Sequence, residues 1–189
     1  MGRIIIHQHI TADGFVAGAD GSLDWVDGSI TDAEPIVEHT LAELDEADAV
    51  LLGRRTYEMF IAYWPTPAAA DDPLAAPINA ISRHVASTTL DAAPWGDFEP
   101  ATLERGTAAE IADRLTSYYE RDVIVWGSLS LASALLEAGR VDQLRLRVAP
   151  IAIGRGVPLW DARIDPARLT LVDATRLPTQ QVLLTYDVG

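Results

Sequence analysis

The chain has 189 residues and a formal charge of −14, from 28 acidic against 14 basic side chains; this balance opposes binding to a phosphate backbone unless the basic residues cluster, and they are scattered. Cysteine is absent and every basic residue is arginine, which excludes disulfides, thiolate chemistry, a lysine Schiff base and the lysine of a Walker loop. No apolar run approaches the roughly 20 residues that span a bilayer, and MGRIIIHQHI lacks a signal peptide's extended apolar region, so a cytoplasmic chain with neither membrane nor nucleic acid as partner is expected.

Arg3 to Ile10 reads as a first strand, apolar at Ile4, Ile5 and Ile6. Thr11 to Ser29, TADGFVAGADGSLDWVDGS, is a long loop rich in Gly and Asp; its Phe15 and Trp25 suit a binding segment or lid better than a linker. Thr31 and Glu34 form a capping-box pattern ahead of a helix whose face is Ile36, Val37, Thr40, Leu41 and Leu44. Ala49 to Leu52 is a short strand ending at Gly53, and a helix starts at Arg54. The four prolines of Trp64 to Pro77 mark an irregular surface excursion, and Ile78 to His84 and Val85 to Leu90 read as short strands. Thr107 and Glu110 repeat the capping box before a helix facing inward with Ile111, Leu115, Tyr118 and Tyr119.

The unbroken apolar run Val123 to Trp126 fits a strand covered on both faces. Ser128 to Ala138 follows at helical spacing, with Gly139 at the left-handed cap. Leu144, Leu146 and Val148 then alternate with Arg145 and Arg147, whose side reads as a solvated sheet face or an intersubunit salt-bridge surface. Strand, helix and strand in this order predict a right-handed crossover and an α/β sheet. Leu169 to Asp173 and Gln181 to Val188 complete it as terminal strands. One domain spanning 1–189 is expected.

Two strand-end glycine turns carry the chemistry. In LLGRRTYE, Gly53 permits close approach of a ligand, the helix start offers N–H donors, and Arg54, Arg55 and Thr56 add charge and a hydroxyl, a set suited to a pyrophosphate or 2′-phosphate. A tight turn with two solvated arginines is the plainer reading. The turn Trp126, Gly127, Ser128, Leu129 repeats the device, and both lie where α/β folds hold phosphate-bearing ligands. His7 and His9 share one strand face at a spacing that permits a metal, but no third ligand accompanies them, so no metal is assigned. His39 and His84 each stand alone in sequence.

The segments TADGFVAGADGSLDW, LLGRRTYE, SRHVASTTL and VIVWGSLSLASALLEAGRVDQLRLRVAPIAIGRGVPLW, in this order, resemble the dihydrofolate reductase-like family that includes the reductase domain of the riboflavin-biosynthesis deaminase/reductase. The resemblance implies a three-layer α/β fold with a mixed, mostly parallel sheet flanked by helices, and a reductase using NADPH on a small heterocycle or carbonyl-type substrate. By position it assigns Gly53, Arg54 and Thr56 to the cofactor's phosphates, Ser82 and Arg83 to its adenosine end, and Gly127, Ser128 and Leu129 to a turn packed against it. Where the family has a second glycine this chain has Ser128. Gly154 and Gly156 match a further family turn. True dihydrofolate reductases carry a pterin-binding carboxylate on the first helix, and the gapless register places Val37 there. Glu34 and Asp24 are then the candidate acids, Trp25 a stacking surface, and Asp13 the acid of the family's Asp-Gly loop on the substrate side. The riboflavin-type relatives also imply a homodimer. A nucleotide-binding module without turnover is the alternative that the missing helix carboxylate and Ser128 keep open.

Overall fold

In the computed structural model, residues 1–29, 34–160 and 166–189 are described. The strands are β1 (Arg3–Thr11), β2 (Phe15–Ala17), β3 (Ala47–Gly53), β4 (Ser82–Ala86), β5 (Thr102–Glu104), β6 (Asp122–Trp126), β7 (Gln143–Ala149), β8 (Val157–Pro158), β9 (Leu169–Arg176) and β10 (Val182–Val188). The helices are α1 (Asp24–Ser29), α2 (Glu34–Glu46), α3 (Arg54–Ile61), α4 (Ala75–Ala80), α5 (Ala108–Tyr118) and α6 (Leu129–Glu137). Eight strands form one sheet in the order β5-β4-β3-β6-β1-β7-β10-β9. Pairing is parallel from β5 through β7 and antiparallel where β10 joins β7 and β9. This is the mixed, mostly parallel three-layer architecture expected. The β6–α6–β7 unit crosses over β1, which lies between its two strands.

Hydrophobic burial fixes the layers. On one face Ile4, Ile6, Leu51, Val123 and Val125 pack against Ile111 and Leu115 of α5 and Ala132 and Leu135 of α6. On the other, Val50, Leu52, Val85 and Ile124 pack against Leu44 of α2, Tyr57 of α3, Ile78 of α4 and Trp95. The Thr107 capping box is formed as read, with Glu110 bonded to the Thr107 N–H at 2.8 Å.

Four local readings change. Ile78 lies in α4 and fills the second core, so the strand begins only at Ser82. Val85 belongs to that strand, and the chain then turns at Ser87, whose hydroxyl accepts from the Thr89 and Leu90 amides. The proline-rich stretch is not purely surface: Ala69 is buried, and the Trp64 carbonyl accepts from Asn79. Tyr118 points outward, while Tyr119 turns in to meet His84 Nε2 at 2.8 Å.

The first part of the long loop is tied down. β2 pairs with β8, and Ile10, Val16 and Leu159 make a small core beneath it. Gly156 is required there, because a Cβ would sit 2.2 Å from the Ala17 carbonyl oxygen. The loop therefore presents Val16, Leu23 and Trp25 along the carboxyl ends of the parallel strands, where a cleft opens.

Candidate active site

The cleft measures about 1260 Å³ and runs from the β3 and β6 turns to a polar floor beneath α2. At the first end the two turns abut. Gly127 and Ser128 both adopt left-handed backbone, with φ of 59° and 60°. A Cβ on Gly53 would lie 2.8 Å from Ser128 Oγ, so only glycine fits opposite this serine. The Gly53 amide donates to Ser128 Oγ at 2.6 Å, and the Thr56 and Ser128 hydroxyls are 2.8 Å apart. Gln8 Nε2 donates to the Gly127 carbonyl at 2.8 Å, locking β1 to the same turn. Arg54 stands at the rim, paired with Glu58 at 2.9 Å and donating to Thr89 Oγ1 at 3.0 Å. The first-turn amides of α3 and α6 have no intrahelical acceptor, and both helix starts border the cleft, so the frame offers donors to an anion from two sides.

The other end is built on the sheet. Alternation puts His7 and His9 of β1 on one face, and the parallel register sets them beside Arg145 and Arg147 of β7. α2 covers this face and inserts Glu43, whose carboxylate is 2.9 Å from His7 Nδ1, 3.6 Å from His39 Nε2 and 3.4 Å from Arg145. Arg145 also reaches Asp122 at 3.2 Å, and Asp122 holds Arg3 at 2.8 Å. Arg147 donates to Thr40 Oγ1 at 3.1 Å. Burial would push the Glu43 carboxyl up, but its interactions with His7 and His39 outweigh this and hold it well below the ordinary carboxylate range. Burial pushes His7 down, against the pull of Glu43, and pushes His9 well below its ordinary value with help from the Arg147 charge. Both imidazoles are thus neutral at pH 7. With Glu43 ionised, His7 keeps its proton on Nδ1, and the buried Nε2 faces the cleft as an acceptor without a partner among the described residues.

The sequence profile of the RibD C-terminal domain matches residues 3–183. The chain belongs to the RibD C-terminal domain family. Within it, the chain is 25% identical over 190 residues to YyaP, an uncharacterized protein of Bacillus subtilis (strain 168), covering 97% of this chain and 94% of that one. It is 30% identical over 153 residues to the riboflavin biosynthesis protein RibD of Corynebacterium ammoniagenes, covering 78% of this chain and 42% of that protein. Among solved structures, a riboflavin-biosynthesis-type protein of Shewanella sp. PV-4 superposes with a TM-score of 0.81 at 20% identity over 99% of both chains. Enterococcus faecalis dihydrofolate reductase superposes with a TM-score of 0.60 at 13% identity, over 99% of this chain and 96% of that one. The fold is that of the dihydrofolate reductase-like proteins.

In this RibD-type frame, Gly53, Arg54, Thr56, Gly127, Ser128, Leu129 and Trp25 all line the cleft. Ser82 and Arg83 do not. They open β4 at its far end, where Arg83 donates to the carbonyls of Asn79, Ile81 and Glu99 and stacks 5.0 Å over Trp95. The carboxyl end of that strand, Ala86 to Thr89, borders the cleft instead. Asp13 is exposed and pins the loop, accepting from Thr11 Oγ1 at 2.6 Å and the Gly154 amide at 2.7 Å; Asp24 and Glu34 are exposed and line no part of the cleft. Thr31, the expected capping partner of Glu34, lies outside the described residues. The Arg145 and Arg147 face is not solvated: Arg147 is 3% exposed, because α2 packs across it. Among the described residues no group of three or more metal-ligating side chains gathers, at His7 and His9 or elsewhere. Sequence reasoning missed the pairing of Glu43 with His7, although polar residues on one face of a central parallel strand signal a built polar site.

Glu43 gives a pH-linked prediction. Its folded value lies below the ordinary 4.5, so its stabilisation is complete above that pH and is lost as pH falls further. His7 and His9, held below 6.5, add acid lability as pH falls through that value. Glu43→Gln should lower stability at pH 7 by roughly 3 kcal/mol and flatten the pH dependence below 4.5, as read by urea denaturation between pH 3.5 and 7.5; an unchanged curve would remove Glu43 from this role.

Proposed function

We propose that the protein is an NADPH-dependent reductase that transfers a hydride to a small heterocyclic substrate, pterin-like or riboflavin-precursor-like, or to a carbonyl or imine. The observation that carries this reading is the continuity of the cleft, which joins two strand-end anion turns to a floor where His7 waits with a free nitrogen. Two neighbours support it by name. The Thermotoga maritima protein, which matches this chain over 57% of its length at 15% identity and a TM-score of 0.67, is a 5-amino-6-(5-phosphoribosylamino)uracil reductase with a deaminase activity. The Enterococcus reductase was solved with NADP(H).

The chain's own residues fit such a cofactor. The helix starts at Arg54 and Leu129 would hold the pyrophosphate between them, and Arg54 and Arg55 at the rim would meet the 2′-phosphate. Gln8 and Gly127 frame the narrow passage between the turns and His7. Bound NADPH would supply the hydride. His7 would take a proton from solvent at Nε2 and pass it to the substrate atom next to the new C–H bond, so that hydride and proton together reduce one C=N or C=O bond, with Glu43 stabilising the transient imidazolium. Trp25 and Val16 would cover the reacting region from water. The module without turnover is disfavoured by an open cleft with a polar floor, although neither Asp24 nor Glu34 enters it.

The same reading makes the molecule a cytoplasmic homodimer. β9 is one of the sheet's two edge strands, and its eight residues are exposed, including Leu171 and Val172 at 54% and 55%. An apolar edge strand of this length calls for a partner, and a second copy is the occupant that symmetry supplies most simply.

Three outcomes test this. Arg54→Ala should weaken NADPH by about tenfold or more while leaving NADH nearly unchanged, since one charge-assisted contact contributes about 1.5–3 kcal/mol; equal losses in a fluorescence titration would take the 2′-phosphate away from Arg54. His7→Asn should reduce turnover by roughly 100-fold with unaltered NADPH affinity, and full activity would remove the proton role. Light scattering should give twice the chain mass for the native protein and a monomer for Val172→Asp; a native monomer would end the dimer assignment.

A further inference from the structure

The floor of the cleft holds a buried guanidinium, that of Arg147, that no ion pair among the described residues meets. Beneath α2 the carboxylates of Glu43 and Asp122 are both engaged, Glu43 by Arg145 and Asp122 by Arg145 and by Arg3, which is half exposed and also lies near Asp142 and Asp187. Among the described residues Arg147 forms no ion pair, and its hydrogen bond there goes to the neutral Thr40 hydroxyl. The side chain is 3% exposed, and its Nε–H is buried without an acceptor. Burial draws its pKa down to about 10, against the pull of Glu43, so it remains cationic at neutral pH.

A buried guanidinium without a counter-ion is costly to keep. It also opens toward the cleft, beside a second orphan donor, the buried Trp25 Nε1–H, and the two share the lining of this corner with His9. Neighbouring His9 and His7 are neutral, so neither adds positive charge nor screens this one. Two unmet N–H donors and one unpaired positive charge define what is missing: a planar, singly charged oxygen acceptor.

We propose that Arg147 and Trp25 form a carboxylate seat, and that the reducible substrate is an organic acid whose carboxylate docks there, leaving its C=N or C=O bond toward His7 and the nucleotide turns. This deepens the reductase reading and rests on it for the word substrate, though not for the seat itself. One guanidinium matches one negative charge, so a carboxylate is favoured over a phosphate dianion. A cationic or amidine-edged ring is rejected by the same charge.

The test uses the full chain without nucleotide and four probes of one shape: benzoate, phenyl phosphate, benzamide and benzamidine, titrated by calorimetry at pH 7.5 and low salt and followed by tryptophan fluorescence. Benzoate should bind at least tenfold more tightly than benzamide, with benzamidine weakest, and Arg147→Met should abolish the benzoate preference while leaving NADPH affinity within twofold. Arg147→Lys, which keeps the charge, should retain the preference for benzoate over benzamidine. Preferential binding of benzamidine or of phenyl phosphate would overturn the proposal, as would a benzoate affinity indifferent to Arg147→Met. The native probe series decides even if a variant does not fold. Benzoate binding without any NADPH affinity would sink the reductase reading and leave the seat standing; NADPH binding with benzamidine preferred would do the reverse.

Discussion

The polar floor of the cleft depends on one buried carboxylate. Glu43 descends from α2 onto a sheet face that carries His7, His9, Arg145 and Arg147 in place of the apolar residues a doubly covered sheet normally requires. Without it, His7 would lose its Nδ1 partner and Arg145 one of its two carboxylates. With it, His7 is fixed through Nδ1, Arg145 is drawn toward Asp122, and Arg147 alone is left to address the cleft. α2 carries Glu43 to this face, where it pairs with His7 and Arg145 and leaves Arg147 without an ion pair among the described residues.

The other end of the cleft depends on the close approach of two turns. Gly53 and Gly127 bring two strand ends so close that Ser128 touches both the β3 turn and Thr56. A serine in left-handed backbone is strained by roughly 1–2 kcal/mol, and its two hydrogen bonds offset that cost. The departure from the family's second glycine thus preserves the turn and stiffens it. It also leaves the helix-start amides, rather than the Gly53 N–H or the Ser128 hydroxyl, as the donors open to a ligand.

Local pattern carried much of this to the reader of the sequence. The strand-glycine-helix units, the Thr107 capping box and the crossover through α6 follow from periodicity and turn chemistry, which act over a few residues. Ile78 and Arg83 were misplaced because their neighbours are set by Trp95, distant in sequence and buried by tertiary packing. The Arg145 and Arg147 alternation suggested solvent because a strand's own residues do not reveal which helix covers them. Glu43 sat in plain view on the α2 face, one turn from Thr40, but its partner lies 36 residues away on a strand whose polar face only the fold pairs with that helix. Glu34 borders the apolar face of its helix and Asp24 adjoins Trp25, but these local positions bring neither acid to the floor.

The central claim is that the two ends of the cleft form one active site. A crystal structure grown with NADP⁺ tests it most directly. The pyrophosphate should lie between the first turns of α3 and α6, and the nicotinamide ring past Gln8 and Gly127 with its reactive face toward His7. A nucleotide lodged elsewhere, or one whose nicotinamide points away from His7, would contradict it.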